Sequence, residues 1–293
     1  MDKNINTFEQ LLKICIANSK SIYEVAQENM AQSADITVDQ VRAFTNRSLF
    51  AMKEAIQTGL VNDELSLSKM CGQDCAKVKQ RYQSEKSALG PVFEKILTYA
   101  LATSEENIRM GRIVACPTAG SCGILPAALI AIADEYNYSI IEQINALITA
   151  GEVGRIISNK VALAGAVAGC QAECGVASAM AAAAVCQMRG GSVYQVLNAS
   201  ALALKNLLGL TCDPVAGLVE VPCVKRNPFL AVHAITAVEL ALAGVESKIP
   251  IDEVIDAMEQ TGALMSPTLK ESSQAGLATT KTGLQIKKQV FGE

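Results

Sequence analysis

Between residue 111 and about residue 245, alanine, glycine and other small residues dominate the chain, in runs such as ALAGAVAGC and ASAMAAAAVC. Alanine is the strongest helix former, and a helix that carries little more than methyl groups lets its neighbours come close. The stretch therefore predicts a tightly packed, largely buried helical bundle. Strand-like alternation and Asn-Gly hairpin signals are nearly absent, as are internal repeats, low-complexity tracts and long charge runs. The expected fold class is all-α, predominantly helical, with close-packed small-residue helices.

The first hundred residues carry recognisable helix starts. Thr7-Phe-Glu-Gln10 and Thr37-Val-Asp-Gln40 both have the capping-box pattern, a hydroxyl followed three residues later by a glutamine. After the second, Val41, Phe44, Met52 and Ile56 recur at helical intervals, and Gly59 reads as the stop. The segment 61–85 is more polar and holds Cys71 and Cys75. A new helix is expected at Pro91, a favoured first-turn residue. Ser192 to Gln195 opens another, carried to about Leu208, and a last helix is expected from Asp252 to Gln260, ended by Gly262. These signals divide the chain into a helical N-terminal region, 1–84, and a larger α domain, 85–293, packed as one unit.

Composition removes several function classes. At 293 residues the chain has ample core, half its residues are hydrophobic and only 18% are charged. A mean hydropathy of +0.26 suggests burial against another subunit. A net charge of −4 with no Trp disfavours nucleic acid and anionic membrane as partners. The apolar windows 124–133 and 161–170 are too short to span a bilayer, and Phe229–Val245, with His233 and Glu239, reads as a buried helix. The N-terminus lacks a basic region followed by an apolar signal core, so a cytoplasmic chain with reduced cysteines is expected.

Two constellations could carry chemistry. Cys116-Pro-Thr-Ala-Gly-Ser-Cys122-Gly stands ahead of the helical ILPAALIAIA. Backbone amides at a helix start, with the hydroxyls of Thr118 and Ser121, would suit a carboxylate or phosphate; an ordinary loop has the same pattern. The second is Cys170, beside Gly169, with Cys212 and Cys223, which stand next to Pro214 and Pro222. The prolines place both thiols on loops or helix ends. Loop cysteines near glycines are what an iron–sulfur cluster needs, and three thiolates in place of four would leave one iron open. By spacing alone these thiols read more readily as small buried apolar residues, as Cys15 and Cys186 do. No CxxC pair occurs, and CxxxC at 71–75 and 170–174 is not continued to CxxxCxxC. The single histidine, His233, reads as a core residue.

CPTAGSCGILPA, AGCQAECGVASAMAAAAV and NLLGLTCDPVAGLVEVPCVKRN together resemble the α chain of iron–sulfur-dependent L-serine dehydratases, and KESSQAGLATTKTG is similar to that family's ending. The resemblance covers about residues 85–285. It implies that Cys170, Cys212 and Cys223, separated by 42 and 11 positions, hold a [4Fe–4S] cluster whose fourth iron is open to substrate. It implies that Cys116 and Cys122 are not ligands, and that 85–293 is the cluster-binding catalytic domain. The implied reaction takes L-serine to pyruvate and ammonia, a step of serine catabolism that feeds gluconeogenesis. The stretch Thr118, Ala119, Gly120 and Ser121 would hold the substrate carboxylate.

Single-chain members begin with a second domain carrying an SSSHT-type element tied to proton transfer. No such element occurs in this sequence, so the resemblance implies the α subunit of a two-chain enzyme, with a separate β chain, and leaves the base unassigned. Some members end in a cysteine that caps the open iron; this chain ends QVFGE, and such capping is not expected. A related cluster-dependent L-cysteine desulfidase, a non-catalytic helical iron–sulfur protein and a metal-free scaffold stay open as rivals.

Overall fold

The computed structural model describes residues 5–292, and among them every regular element is helical. The N-terminal region forms α1 (Phe8–Asn18), α2 (Ile22–Ser33), α3 (Val38–Val61) and α4 (Asp74–Ser84). The rest forms α5 (Pro91–Ile108), α6 (Ile124–Tyr136), α7 (Ile140–Ser158), the single turn α8 (Gly165–Ala168), α9 (Val176–Met188), α10 (Val193–Lys205), α11 (Cys223–Leu242), α12 (Ile251–Leu264) and α13 (Lys281–Phe291). The all-α expectation holds.

α9 is the axis of the molecule. It is the alanine-rich segment, and α6, α7, α10 and α11 surround it. Every one of its residues except Gln187 is buried. Five helices can share one crossing region only where the central one projects almost nothing, so the run ASAMAAAAVC is what makes the bundle possible. A second layer builds outward from it: α5 lies against α6 and α11, α3 and α4 lie against α5, and α2 lies against α7 and α3.

The local start signals operate as chemistry predicts. Thr37 caps α3, with its Oγ1 accepting from Gln40 N at 3.2 Å and Gln40 Oε1 accepting from Thr37 N at 2.8 Å. Ser192 and Gln195 do the same for α10. At α1 only half of the box forms: Thr7 Oγ1 accepts from Gln10 N, while Gln10 Oε1 reaches back one residue further to Asn6 N. α5 starts at Pro91.

The two glycines read as stops are something else. Gly59 lies inside α3, where a Cβ would stand 2.1 Å from the backbone oxygen of Ala102 in α5. Gly262 lies inside α12, where a Cβ would meet Ala168 and Gln171 at 3.2 Å. At Gly59 two helices touch backbone to backbone, at Gly262 α12 packs on the Ala168 methyl and the Gln171 side chain, and both helices run on past their glycines. The apolar segment after Cys223 also differs from expectation. α11 is buried along one face only, and Phe229 is 77% exposed. His233 is a satisfied residue, its Nε2 at 2.9 Å from Ala203 O. No helix among the described residues is long and apolar enough to cross a membrane.

Candidate functional site

The chain breaks just before α9, and the break makes the site. After the single turn of α8, Gly169 takes φ +78, a value that favours glycine, and a Cβ there would stand 2.7 Å from Met265 Sδ. Cys170 follows and opens a π-helical turn, Gln171–Gly175, that runs straight into α9. π-turns inside helices cluster at functional sites because the extra residue re-aims side chains. Here it turns Cys170, Glu173 and Cys174 toward one point.

Gln171 brings the second cysteine in. Its Nε2 donates to Ala168 O and Met258 O at 3.0 Å, and its Oε1 accepts from Gly209 N at 2.9 Å. Its backbone N–H donates to Leu210 O. The loop 209–213 is thereby pinned on the π-turn, and Cys212 on it meets Cys170. From the far side residues 269–271 pair with Cys212: its N–H donates to Leu269 O at 2.9 Å and its carbonyl accepts from Glu271 N at 2.7 Å. Gly165 closes the near side, where a Cβ would stand 2.9 Å from Cys212 Sγ.

Donor atoms of Cys170, Glu173 and Cys212 lie within 4.8 Å of one another, and all three residues are buried. Cys174 Sγ is 3.9 Å from Cys170 Sγ. Hydrogen bonds from Cys174 and Cys212, and the nearby Arg226 guanidinium, hold the Cys170 thiol far below its ordinary value. Cys174 and Cys212 are pushed up in return, first because they donate to Cys170 and then by burial. Burial and the negative Cys170 raise Glu173 to about 7. Cys223 is the first residue of α11, outside the 4.8 Å group but facing the same charges. Burial, then Cys170 and Glu173, push its thiol up to about 12. Three cysteines from three separate elements, with a buried carboxylate beside Cys170 and Cys212 and glycines where a Cβ would intrude, make a soft, sulfur-rich donor set of the kind that iron–sulfur clusters use.

The loop 116–123 joins this set through two side chains. Thr118 Oγ1 donates a short hydrogen bond to Glu173 Oε1, and Ser121 Oγ lies 3.1 Å from Thr118 Oγ1. Asn227, one turn into α11, donates to Gly120 O at 2.8 Å and to Cys223 O at 2.9 Å, and accepts from Gly123 N at 2.8 Å. Gly120 is required: a Cβ there would stand 2.6 Å from Glu173 Oε1. The amides of Ala119, Gly120 and Ser121 donate to no protein acceptor among the described residues, and α6 begins just beyond them. Cys116 and Cys122 are buried under the loop, their thiols pushed up by desolvation and turned to backbone oxygens.

Against known proteins, residues 17–278 match the family described as serine dehydratase alpha chain. The chain belongs to that family. It is 43% identical over 286 residues to a probable L-serine dehydratase, alpha chain, of Bacillus subtilis, covering 94% of this chain and 95% of that one. It is 38% identical to the L-serine dehydratase, alpha chain, of Peptoniphilus asaccharolyticus, covering 99% of each. With the longer L-serine dehydratase TdcG of Escherichia coli it shares 37% identity over 92% of its own length and 60% of that protein's.

Within the family's motifs, several residues that frame the site were not singled out by sequence reasoning. Glu173 stands three positions after Cys170, one helical turn on, and that spacing could have exposed it. Arg226 and Asn227 stand three and four positions after Cys223 and share its face of α11. Cys174 sits four after Cys170, and the sequence showed the pair only as a CxxxC that is not continued to CxxxCxxC. Cys15 and Cys186 are buried in the apolar core, away from the site.

Proposed function

We propose that this chain is the α subunit of an iron–sulfur-dependent L-serine dehydratase, converting L-serine to pyruvate and ammonia. One observation carries the reading: in a chain of the serine dehydratase alpha chain family, Glu173 touches both the thiol set and the loop with unpaired backbone amides. Cys170, Cys212 and Cys223 would hold a [4Fe–4S] cluster. The chemistry that such a cluster supplies when bound is Lewis-acid assistance to the loss of hydroxide from the β-carbon of serine.

The chain's own residues do the rest. The amides of Ala119, Gly120 and Ser121, at the positive end of α6, hold the substrate carboxylate, and Thr118 Oγ1 stands on the same loop. Glu173 accepts from Thr118 Oγ1 and so orients that hydroxyl. Asn227 fixes the loop to the turn that bears Cys223, which keeps carboxylate and metal site in register. Burial of every donor excludes bulk water from the thiolates. The partner is a separate β chain, which the designation of its relatives as alpha chains implies, and the group that accepts the α-proton is left unassigned. The released aminoacrylate tautomerises and hydrolyses unaided. The assembly is placed in the cytoplasm, in serine catabolism.

The test is anaerobic reconstitution with iron and sulfide, with and without the β chain, followed by the visible spectrum, iron and sulfide content, and pyruvate release from L-serine and L-cysteine. Cys170→Ala, Cys212→Ala and Cys223→Ala should each abolish colour and turnover, whereas Cys15→Ala and Cys186→Ala should keep both. A colourless wild-type chain without iron overturns the reading. Sulfide release from L-cysteine in preference to pyruvate from L-serine would make it a desulfidase. The compact donor group Cys170, Glu173 and Cys212 would also bracket a single ion, a second reading that one iron per chain without sulfide would establish.

A further inference from the structure

Arg226 ties α11, the helix that begins at Cys223, to the loop that carries Cys212. It sits on α11 one turn after Cys223. Its Nη1 donates to Thr211 O at 2.9 Å and its Nη2 donates to Asp213 Oδ1 at 3.0 Å. Thr211 and Asp213 are the residues on either side of Cys212, so the guanidinium brackets that cysteine from both flanks. The pair is well shielded, with 18% of the Arg226 side chain and 6% of Asp213 exposed. Asp213 uses its other oxygen to accept Leu277 N at 2.8 Å, which brings the segment after α12 into the same network. One fixed positive charge thus grips both flanks of Cys212 and stands three residues after Cys223 on the same helix.

We propose that Arg226, oriented by Asp213, is the positioning residue that sets the charge balance of the thiolate centre, fixing how tightly iron is held and the potential at which it is reduced. The inference rests on the metal reading above. Its physical basis is simple. A planar guanidinium held by two fixed acceptors is a preorganised charge in a low-dielectric pocket, where each unit of charge acts strongly on a redox centre nearby. Lysine would keep the charge but lose the fork that grips both flanks of Cys212. Asp213 acts in the opposite sense, offsetting part of the same field.

Opposite signs make the proposal testable. The measurements are the midpoint potential of the reconstituted chain in complex with its β partner, the rate of iron loss to a chelator, and the melting temperature of the iron-free chain. Arg226→Gln should move the potential to more negative values and speed iron loss roughly tenfold. Asp213→Asn, which removes a negative charge at constant shape, should move the potential to more positive values. Arg226→Lys should restore the potential while leaving faster iron loss. If the arginine only braces the loop, Arg226→Gln and Asp213→Asn loosen the same contacts and shift the potential in the same direction or not at all, which overturns the proposal. Should Arg226→Gln fail to fold, a positive shift in Asp213→Asn with Arg226→Lys at the wild-type potential still supports it, and no shift in Asp213→Asn still overturns it. A wild-type chain that binds no iron overturns the metal reading and this inference together; a loaded wild type with unshifted variants overturns the inference alone.

Discussion

A single missing methyl decides the contact between α3 and α5. At Gly59 an added Cβ would press on the Ala102 carbonyl, a backbone atom with no rotamer to escape into. Gly59→Ala should therefore cost about 3 kcal/mol, at the upper end of the usual range for overpacking, despite alanine's better helix propensity. Urea unfolding of the metal-free chain measures it, and a loss under about 0.5 kcal/mol would mean that the helices slide apart freely. Residues at the thiolate centre obey the same logic of close approach. Gly165, Gly169 and Gly120 each stand where a side chain would collide with Cys212, Met265 or Glu173.

Helix α4 shows how an element can be held from a distance. Its N-cap, Gln73, adopts φ +65 and offers no side-chain bond. Glu105 of α5 supplies the cap in its place, its Oε1 accepting from Asp74 N at 2.7 Å and more loosely from Cys75 N. Burial outweighs those bonds and raises the Glu105 carboxyl above its ordinary value of 4.5. A raised carboxylate contributes stability that is complete below the unfolded value and lost as pH rises through the folded one. Wild type should thus lose stability relative to Glu105→Gln as pH is raised from about 4.5, with the loss ending once Glu105 is fully ionised in the folded chain. Urea midpoints for the two proteins across that window measure it; parallel curves would refute the assignment.

That same helix marks the boundary of what could be read from sequence. The starts of α3, α5 and α10 are encoded within four residues, in Thr37, Pro91 and Ser192, and local chemistry was enough to find them. The cap of α4 lies 31 positions away, so nothing near Gln73 announces it. Gly59 and Gly262 misled because glycine serves equally as a terminator and as a contact, and only the neighbour tells which. At the site the cysteines and the loop 118–121 stood out by motif. The grip of Arg226 on Thr211 and Asp213 needs the fold, since 15 and 13 positions separate them in a region broken by two prolines.

At the scale of the molecule, residues 266–280 run across the Cys212 loop and close it. They contribute the pairing at Leu269 and Glu271, a hydrogen bond from Ser273 Oγ to Pro214 O at 2.6 Å, and the Leu277 bond to Asp213. Gly276 is the tight point, with φ +63 and a prospective Cβ only 2.5 Å from Asp213 Oδ2. Gly276→Ala should lift this strap, with about 1–2 kcal/mol of left-handed strain and added clash, and should make reconstituted iron leave several-fold faster. Chelator-driven iron release checks it, and an unchanged rate would show that the strap is dispensable. Far-ultraviolet dichroism should scarcely change, because the bundle lies beneath.

Alanine side chains have no rotamers, and six of the thirteen residues of α9 are alanine. The helix that carries the π-turn at its head therefore has less side-chain disorder to lose on folding than a helix of larger residues, and fewer alternative packings to visit afterwards. Cys170 and Glu173 stand at the head of a stiff post, and the side chains of Gln171 and Thr118 trim their aim. The cost falls on mutability. Nearly every coding change along α9 adds volume where five helices meet, so this segment should tolerate less variation than the metal ligands' own surroundings, without touching the chemistry at all.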